Sequence, residues 1–280
     1  MASRVAAAAV FCAAFACGQS LPLEPPHNSG VGVTGAFEGW FKNADGSFSL
    51  LLGYFNRNSQ QELDIAIGPN NRIDPDGPDR GQPTHFLSGR QWGLFAVKVP
   101  ADFGKNKITW TLSVNGKTSV IPASLHPDYE ISPFTEAAVG NTPPIIRFEQ
   151  NGPSVQGPQG MTVERSASVG MPLALTVWAS DDAKFTSSSS ARPKNLGSPV
   201  VLRWSKYRGP GKLTFAQVKP SLERIDDKTV TYSGKANTTA SFSEPGDYVL
   251  HLLATDYSGE GGGGFQCCWT NAEVKVTVRP

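Results

Sequence analysis

The chain has 280 residues, room for two domains of ordinary size, and 39% apolar with 10% aromatic residues can fill their cores, which excludes a disordered chain. A balance of 25 basic against 24 acidic residues, net charge +1, lacks the basic footprint that nucleic acid requires, and argues equally against an anionic membrane surface. The 29 glycines and 22 prolines, with abundant Val and Thr, suit short strands joined by tight turns.

Residues 1–18 read as an export signal. Arg4 supplies the positive charge, VAAAAVFCAAFA (5–16) is too short to span a bilayer, and Ala14-Phe15-Ala16 fits small-x-small cleavage. Cys17 would be the acylated residue if the protein were a lipoprotein. However, Ala14 and Phe15 depart from the usual Leu-Ala-Gly-Cys pattern, so ordinary secretion fits better. No later segment approaches the ~18 apolar residues of a membrane helix. The expectation is an exported chain, periplasmic or extracellular, anchored at most through Cys17.

Residues 19–30 (QSLPLEPPHNSG) form a Pro-rich tether, and 31–125 read as a first all-β domain. EGWFK (38–42), the turn NADG and SFSLLLGYF (47–55) make a hairpin. ELDIAI (62–67), THFLS (84–88) and QWGLFAVKV (91–99) are further strands. KITWTLSV (107–114) alternates, with Ile108, Trp110, Leu112 and Val114 on one face, and Asn115-Gly116 turns it back on KTSVIPA. Residues 126–144, ending in Pro143-Pro144, read as a linker.

Residues 145–280 read as a second β-sandwich. PIIRFEQ, MTVERSASV, MPLALTVWASD and PVVLRWSKY begin it; NTTASFSEPGDYVLHLLATD and AEVKVTV end it. DDAKFTSSSSARPKNLGSP (181–199) is a low-complexity loop expected to be mobile. In YVLHLLA, His251 lies on the face opposite Leu250 and Leu252 and is expected to meet solvent. With Trp204 after a Val/Leu strand, FSEPGDYVLHLLATD next to last and alternating valines in the last strand, this half resembles a bacterial immunoglobulin-like module of the PKD or cadherin-like kind. It departs from antibody domains, since no cysteine pair crosses the sandwich and Leu175 or Val177 with Leu250 or Leu252 would fill that space. SKYRGPG also replaces the PKD-type continuation after Trp204. The whole chain resembles exported bacterial proteins.

The expected fold is therefore all-β: two β-sandwich domains in tandem, the second immunoglobulin-like. In such a sandwich the strand holding LALTVWA and the strand holding YVLHLLA share a pole at their C-terminal ends. Asp181, Asp182, Asp256 and Glu260 would converge there, a possible calcium site of oxygen ligands. The cadherin-like resemblance implies the same for Asp181, Asp182 and Asp256. Loop solvation and turn capping account for these acids more simply, since calcium wants more oxygens than four carboxylates name. NNRIDPDGPDRGQ (70–82) offers a second calcium loop in Asp74, Asp76 and Asp79, although its prolines spoil the ligand spacing and Asx-Pro turns explain the same residues. Otherwise no cofactor is expected. Trp40, Trp92 and Trp269 could form an aromatic sugar platform, while packing is the commoner role of such residues.

GGGGFQCCWTN (261–271) sits at the same pole. If the last strand runs through Cys267 and Cys268, they point to opposite faces and cannot bond each other. If the four glycines let the backbone twist, they can form a vicinal disulfide, which an oxidising compartment favours. The four histidines are scattered without zinc spacing, and no Ser-centred nucleophile motif is present. The sequence thus points to a non-catalytic exported module that binds a protein or polysaccharide through the 181/256/267 pole. The alternatives are an accessory carbohydrate-binding protein, or a hydrolase or redox enzyme using the loop acids or the cysteines.

Overall fold

The computed structural model describes residues 27–137, 139–184, 197–225, 231–257 and 267–280. Cys17 and Glu260 lie outside the described residues, as do the signal segment, most of the tether, 185–196 and the glycine run.

The first half runs through β1 (Val33–Lys42), β2 (Phe48–Asn56), β3 (Leu63–Asp64), β4 (Asn71–Asp74), β5 (His85–Phe86), β6 (Gly89–Val99), β7 (Lys107–Val114) and β8 (Lys117–Ser124). These pair as β1-β2-β6, β4-β7-β8 and the small β3-β5 ladder. The two expected hairpins form at β1-β2 and β7-β8. In the second, Asn115 and Gly116 both take positive φ, 52° and 72°, the backbone twist that a two-residue turn between antiparallel strands needs. Ile108, Trp110 and Leu112 turn inward onto Leu50, Leu52, Ile73 and Phe86. ELDIAI contributes only a two-residue strand, Leu63–Asp64. NRID, within the 70–82 stretch read as a candidate calcium loop, is β4: Asn71 and Ile73 alternate inward and pair with β7.

A single 3₁₀ turn, Pro127–Tyr129, precedes the second half. Its strands are β9 (Ile145–Arg147), β10 (Ser154–Gln156), β11 (Thr162–Ser168), β12 (Leu173–Asp181), β13 (Val201–Arg208), β14 (Leu213–Phe215), β15 (Glu223–Arg224), β16 (Tyr232–Phe242), β17 (Gly246–Thr255) and β18 (Trp269–Arg279). One sheet orders them β10-β9-β12-β16-β14, with β15 also on β16; the other is β11-β18-β17-β13, with β11 parallel to β18. Leu175, Val177, Trp204, Leu250 and Leu252 fill the space between the sheets. The fold is all-β, in sandwich layers.

The outer face of β13, β17 and β18 is covered by the first half. Tyr207 joins the first half's core, and its hydroxyl donates to the Gly81 carbonyl at 2.6 Å. Arg208 forks onto both Asp79 oxygens at 2.9 and 2.8 Å. Asn271 Nδ2 and Trp269 Nε1 donate to the Gly93 carbonyl at 2.7 and 3.2 Å. From the segment expected as a linker, Ile131 and Phe134 pack along this junction. Ile131 N donates to the Trp40 carbonyl at 2.9 Å, and Phe134 meets Phe41 edge-on in a cluster that also holds Leu51, Leu253 and Trp269.

The junction corrects the expectation for His251. Its face is not solvated but closed by Tyr207 and Asn271, with the imidazole Nε2 3.2 Å from Asn271 Oδ1. Burial pushes the imidazole down to about 4, so it is neutral at ordinary pH. A smaller effect is expected at Arg208. Arg208→Ala should lower unfolding stability by about 1–2 kcal/mol, and Arg208→Lys should recover little of it, because Lys cannot reproduce the fork. Half-exposed Asp79 keeps the ion-pair share small. Urea denaturation checks this, and a neutral Arg208→Ala would refute it.

Candidate functional site

The pole at the end of β12 and β17 brings together three of the four expected acids, Asp181, Asp182 and Asp256; Glu260 lies outside the described residues. Asp181 is the last residue of β12 and Asp256 follows β17; both are buried. The positive φ of Ala183, 53°, turns the chain so that its N–H donates to Asp181 Oδ1 at 2.7 Å. Asp182 Oδ1 accepts from Lys184 N at 3.0 Å. Its Oδ2 accepts from Thr142 N and Oγ1 at 3.2 and 3.1 Å and lies 3.5 Å from Lys184 Nζ.

Asn141, which no sequence signal singled out, ties the pole together. Its Nδ2 donates to Asp256 Oδ2 at 2.6 Å, and its carbonyl accepts from Glu136 N at 2.8 Å. Two oxygens here are buried with no hydrogen-bond partner among the described residues, Asn141 Oδ1 and Asp181 Oδ2. Burial, with Asp256 and Asp182 nearby, raises the Asp181 carboxyl to about 7.

Cys267 and Cys268 border the same place. β18 begins only at Trp269, so neither cysteine is in a strand and their side chains need not point apart. The structure joins them as a disulfide across a cis peptide, both buried. Their sulfurs lie 3.9 and 3.4 Å from the Asn141 carbonyl oxygen.

As a metal centre the described part of the pole is incomplete. Among the described residues no group of three or more His, Cys, Asp or Glu side chains is arranged to hold an ion. The second expected calcium loop does not form either, because each acid has its own cation. Asp74 pairs with Arg72 at 3.0 Å, Asp76 with Arg80 at 3.4 Å and Asp79 with Arg208. Arg208 holds the Asp79 carboxyl below its ordinary range. That loop is a clamp between the halves.

The expected sugar platform of Trp40, Trp92 and Trp269 is also corrected. Trp40 and Trp269 are 8% and 4% exposed, and their Nε1 groups donate to the His126 and Gly93 carbonyls at 2.8 and 3.2 Å. Only Trp92, 42% exposed, faces solvent, with the Arg90 guanidinium 3.9 Å over its ring. Arg90 also pairs with the partly buried Glu38.

No family model and no curated protein matches this sequence. Among solved structures, the chain is similar to cadherin-like domains 1 to 4 of zebrafish RET, at 14% identity and a TM-score of 0.25, covering 79% of this chain and 46% of that one. It thus spans about half the length of that protein. It is also similar to a protein of unknown function from Porphyromonas gingivalis W83, at 10% identity and a TM-score of 0.21, covering 88% of this chain and 100% of the other. At these scores neither likeness decides topology or function.

Proposed function

We propose that this chain is a non-catalytic exported module, with an immunoglobulin-like second half, that binds a partner through the pole of Asp181, Asp182, Asp256 and Cys267–Cys268. The supporting observation is how the pole is built. Asn141, Thr142 and Lys184 hold the strand ends on a packed base, and the described residues that flank 185–196 and 258–266 lie there, Tyr257 donating to the Gly197 carbonyl at 3.2 Å. Connections carried on a rigid scaffold are where binding residues concentrate. A photo-crosslinking residue at position 184 or 257, in the full chain expressed in its own cells, should give discrete high-mass adducts. The same probe at Lys105, in a turn of the first half, should not. Equal labelling from all three positions, or none, would overturn the reading.

The compartment supplies a second test. Export and adjacency favour a closed Cys267–Cys268 disulfide. The unreduced protein should resist alkylation and weigh two hydrogens less than its reduced form. Full alkylation without a reductant would show free thiols instead.

The orphan oxygens of Asn141 and Asp181 support a further reading, in which the pole takes calcium with Glu260 as the fourth acid. A melting temperature several degrees higher in millimolar Ca²⁺ than in EDTA is then expected, and an unchanged one counts against calcium.

A further inference from the structure

We propose a second binding site, independent of the pole, on the outer face of the β10-β9-β12-β16 sheet: a subsite for a uronic-acid polysaccharide centred on Trp178. Leu175, Val177 and Ala179 of β12 point into the core, so Trp178 points away from it. Three strands place one residue each in register. Arg147 on β9 and Lys235 on β16 stand directly opposite Trp178 on either side. All three are partly exposed, and Arg147 and Lys235 make no ion pair with a described residue. The Lys235 ammonium lies 5.3 Å from the indole, and no described ring or cation stacks on the other side. Thr176 and Asn237 continue the face in the next register pair, their side chains bonded at 2.9 Å.

The chemistry of this row selects its ligand. An indole offers the apolar plane on which the C–H face of a pyranose lies, and hydroxyl and amide groups beside it suit sugar hydroxyls. Two cations without an ion pair among the described residues call for negative charge. Neighbouring strands are about 4.8 Å apart, so Arg147 and Lys235 flank the indole at roughly 10 Å from each other. A carboxylate attached to a stacked ring lies near the ring plane and projects sideways, toward such flanking groups. The Arg147 guanidinium matches a carboxylate in two parallel hydrogen bonds, and Lys235 adds a point charge for the neighbouring uronate. Glu223, opposite Lys235 on β15, closes the row with an acid and limits the anion to the Trp178 side.

The test is affinity electrophoresis and titration calorimetry of the whole protein with polygalacturonate and alginate, beside neutral glucan, dextran sulfate and polyglutamate. Retardation by the uronates is expected, weakened about tenfold by Trp178→Ala and comparably by the Arg147→Ala/Lys235→Ala pair, which keeps the site testable if the first variant folds poorly. Trp92→Ala and Asp181→Asn should leave binding unchanged. No uronate binding, binding indifferent to both sets of substitutions, or equal binding of neutral glucan, dextran sulfate or polyglutamate would each overturn the proposal.

Discussion

Asp181→Asn should stabilise the protein at pH 8, in EDTA, by about 2–4 kcal/mol, and the gain should vanish toward pH 4. Folding lifts the Asp181 carboxyl from an ordinary 3.8 to about 7, chiefly by burial. Across that interval the folded chain keeps a proton that the unfolded chain has released. Raising the pH therefore destabilises the fold from about 3.8 to about 7, and above 7 the loss is complete. At ~1.4 kcal/mol per pH unit, roughly three units give a ceiling of about 4 kcal/mol. Asparagine keeps an oxygen for the Ala183 N–H and carries no charge to bury. His251 acts in the opposite sense. Its imidazole is held near 4 instead of 6.5, so its contribution is present above 6.5 and is lost as the pH falls toward 4. His251→Gln should flatten that acid-side loss, worth about 3 kcal/mol, while leaving the Asp181 slope in place. Chemical denaturation of wild type and both variants from pH 4 to 8 reads these differences. A gain from Asp181→Asn that does not change with pH, or a loss at pH 8, would disprove the assignment.

The other large effect is expected at Trp269. Trp269→Ala should cost about 3–5 kcal/mol, the usual consequence of emptying a buried indole site. The ring sits in the cluster of Phe41, Leu51, Ile131 and Leu253, with contributions from both halves, and its Nε1–H is used by the Gly93 carbonyl. Gly93 is its counterpart. With φ at +47° and the indole against it, a Cβ there would overlap the ring, so Gly93→Ala should destabilise by about 1–3 kcal/mol. Urea melts of both variants test the pair. A cost below about 1 kcal/mol for Trp269→Ala would mean that the junction is not held by this packing.

Much of this architecture was legible from periodicity, since alternation states which side of a strand is apolar. Ile108, Trp110 and Leu112, or Leu250 and Leu252, could be assigned to a core without knowing what lay opposite. Turn chemistry was equally local, as Asn115-Gly116 shows. The misreadings arose where a second layer covers a polar face. His251 alternates outward from its own sandwich beside Tyr207 and Asn271 of the neighbouring strands, and the first half covers that face. Asp79 looked like a metal ligand because its partner, Arg208, is 129 residues away. Asn141 looked like linker because its role depends on Asp256, 115 residues on.

The sequence by itself determined an all-β chain, its main strands, the inward face of most of them and the shared pole of Asp181, Asp182 and Asp256. All of these follow from backbone period and chain direction. Only the tertiary structure decided which polar groups are buried, which acids are matched by arginines, and which of Trp40, Trp92 and Trp269 reaches solvent. Those outcomes depend on what packs against each residue, and the contacts are made by segments far apart in the chain.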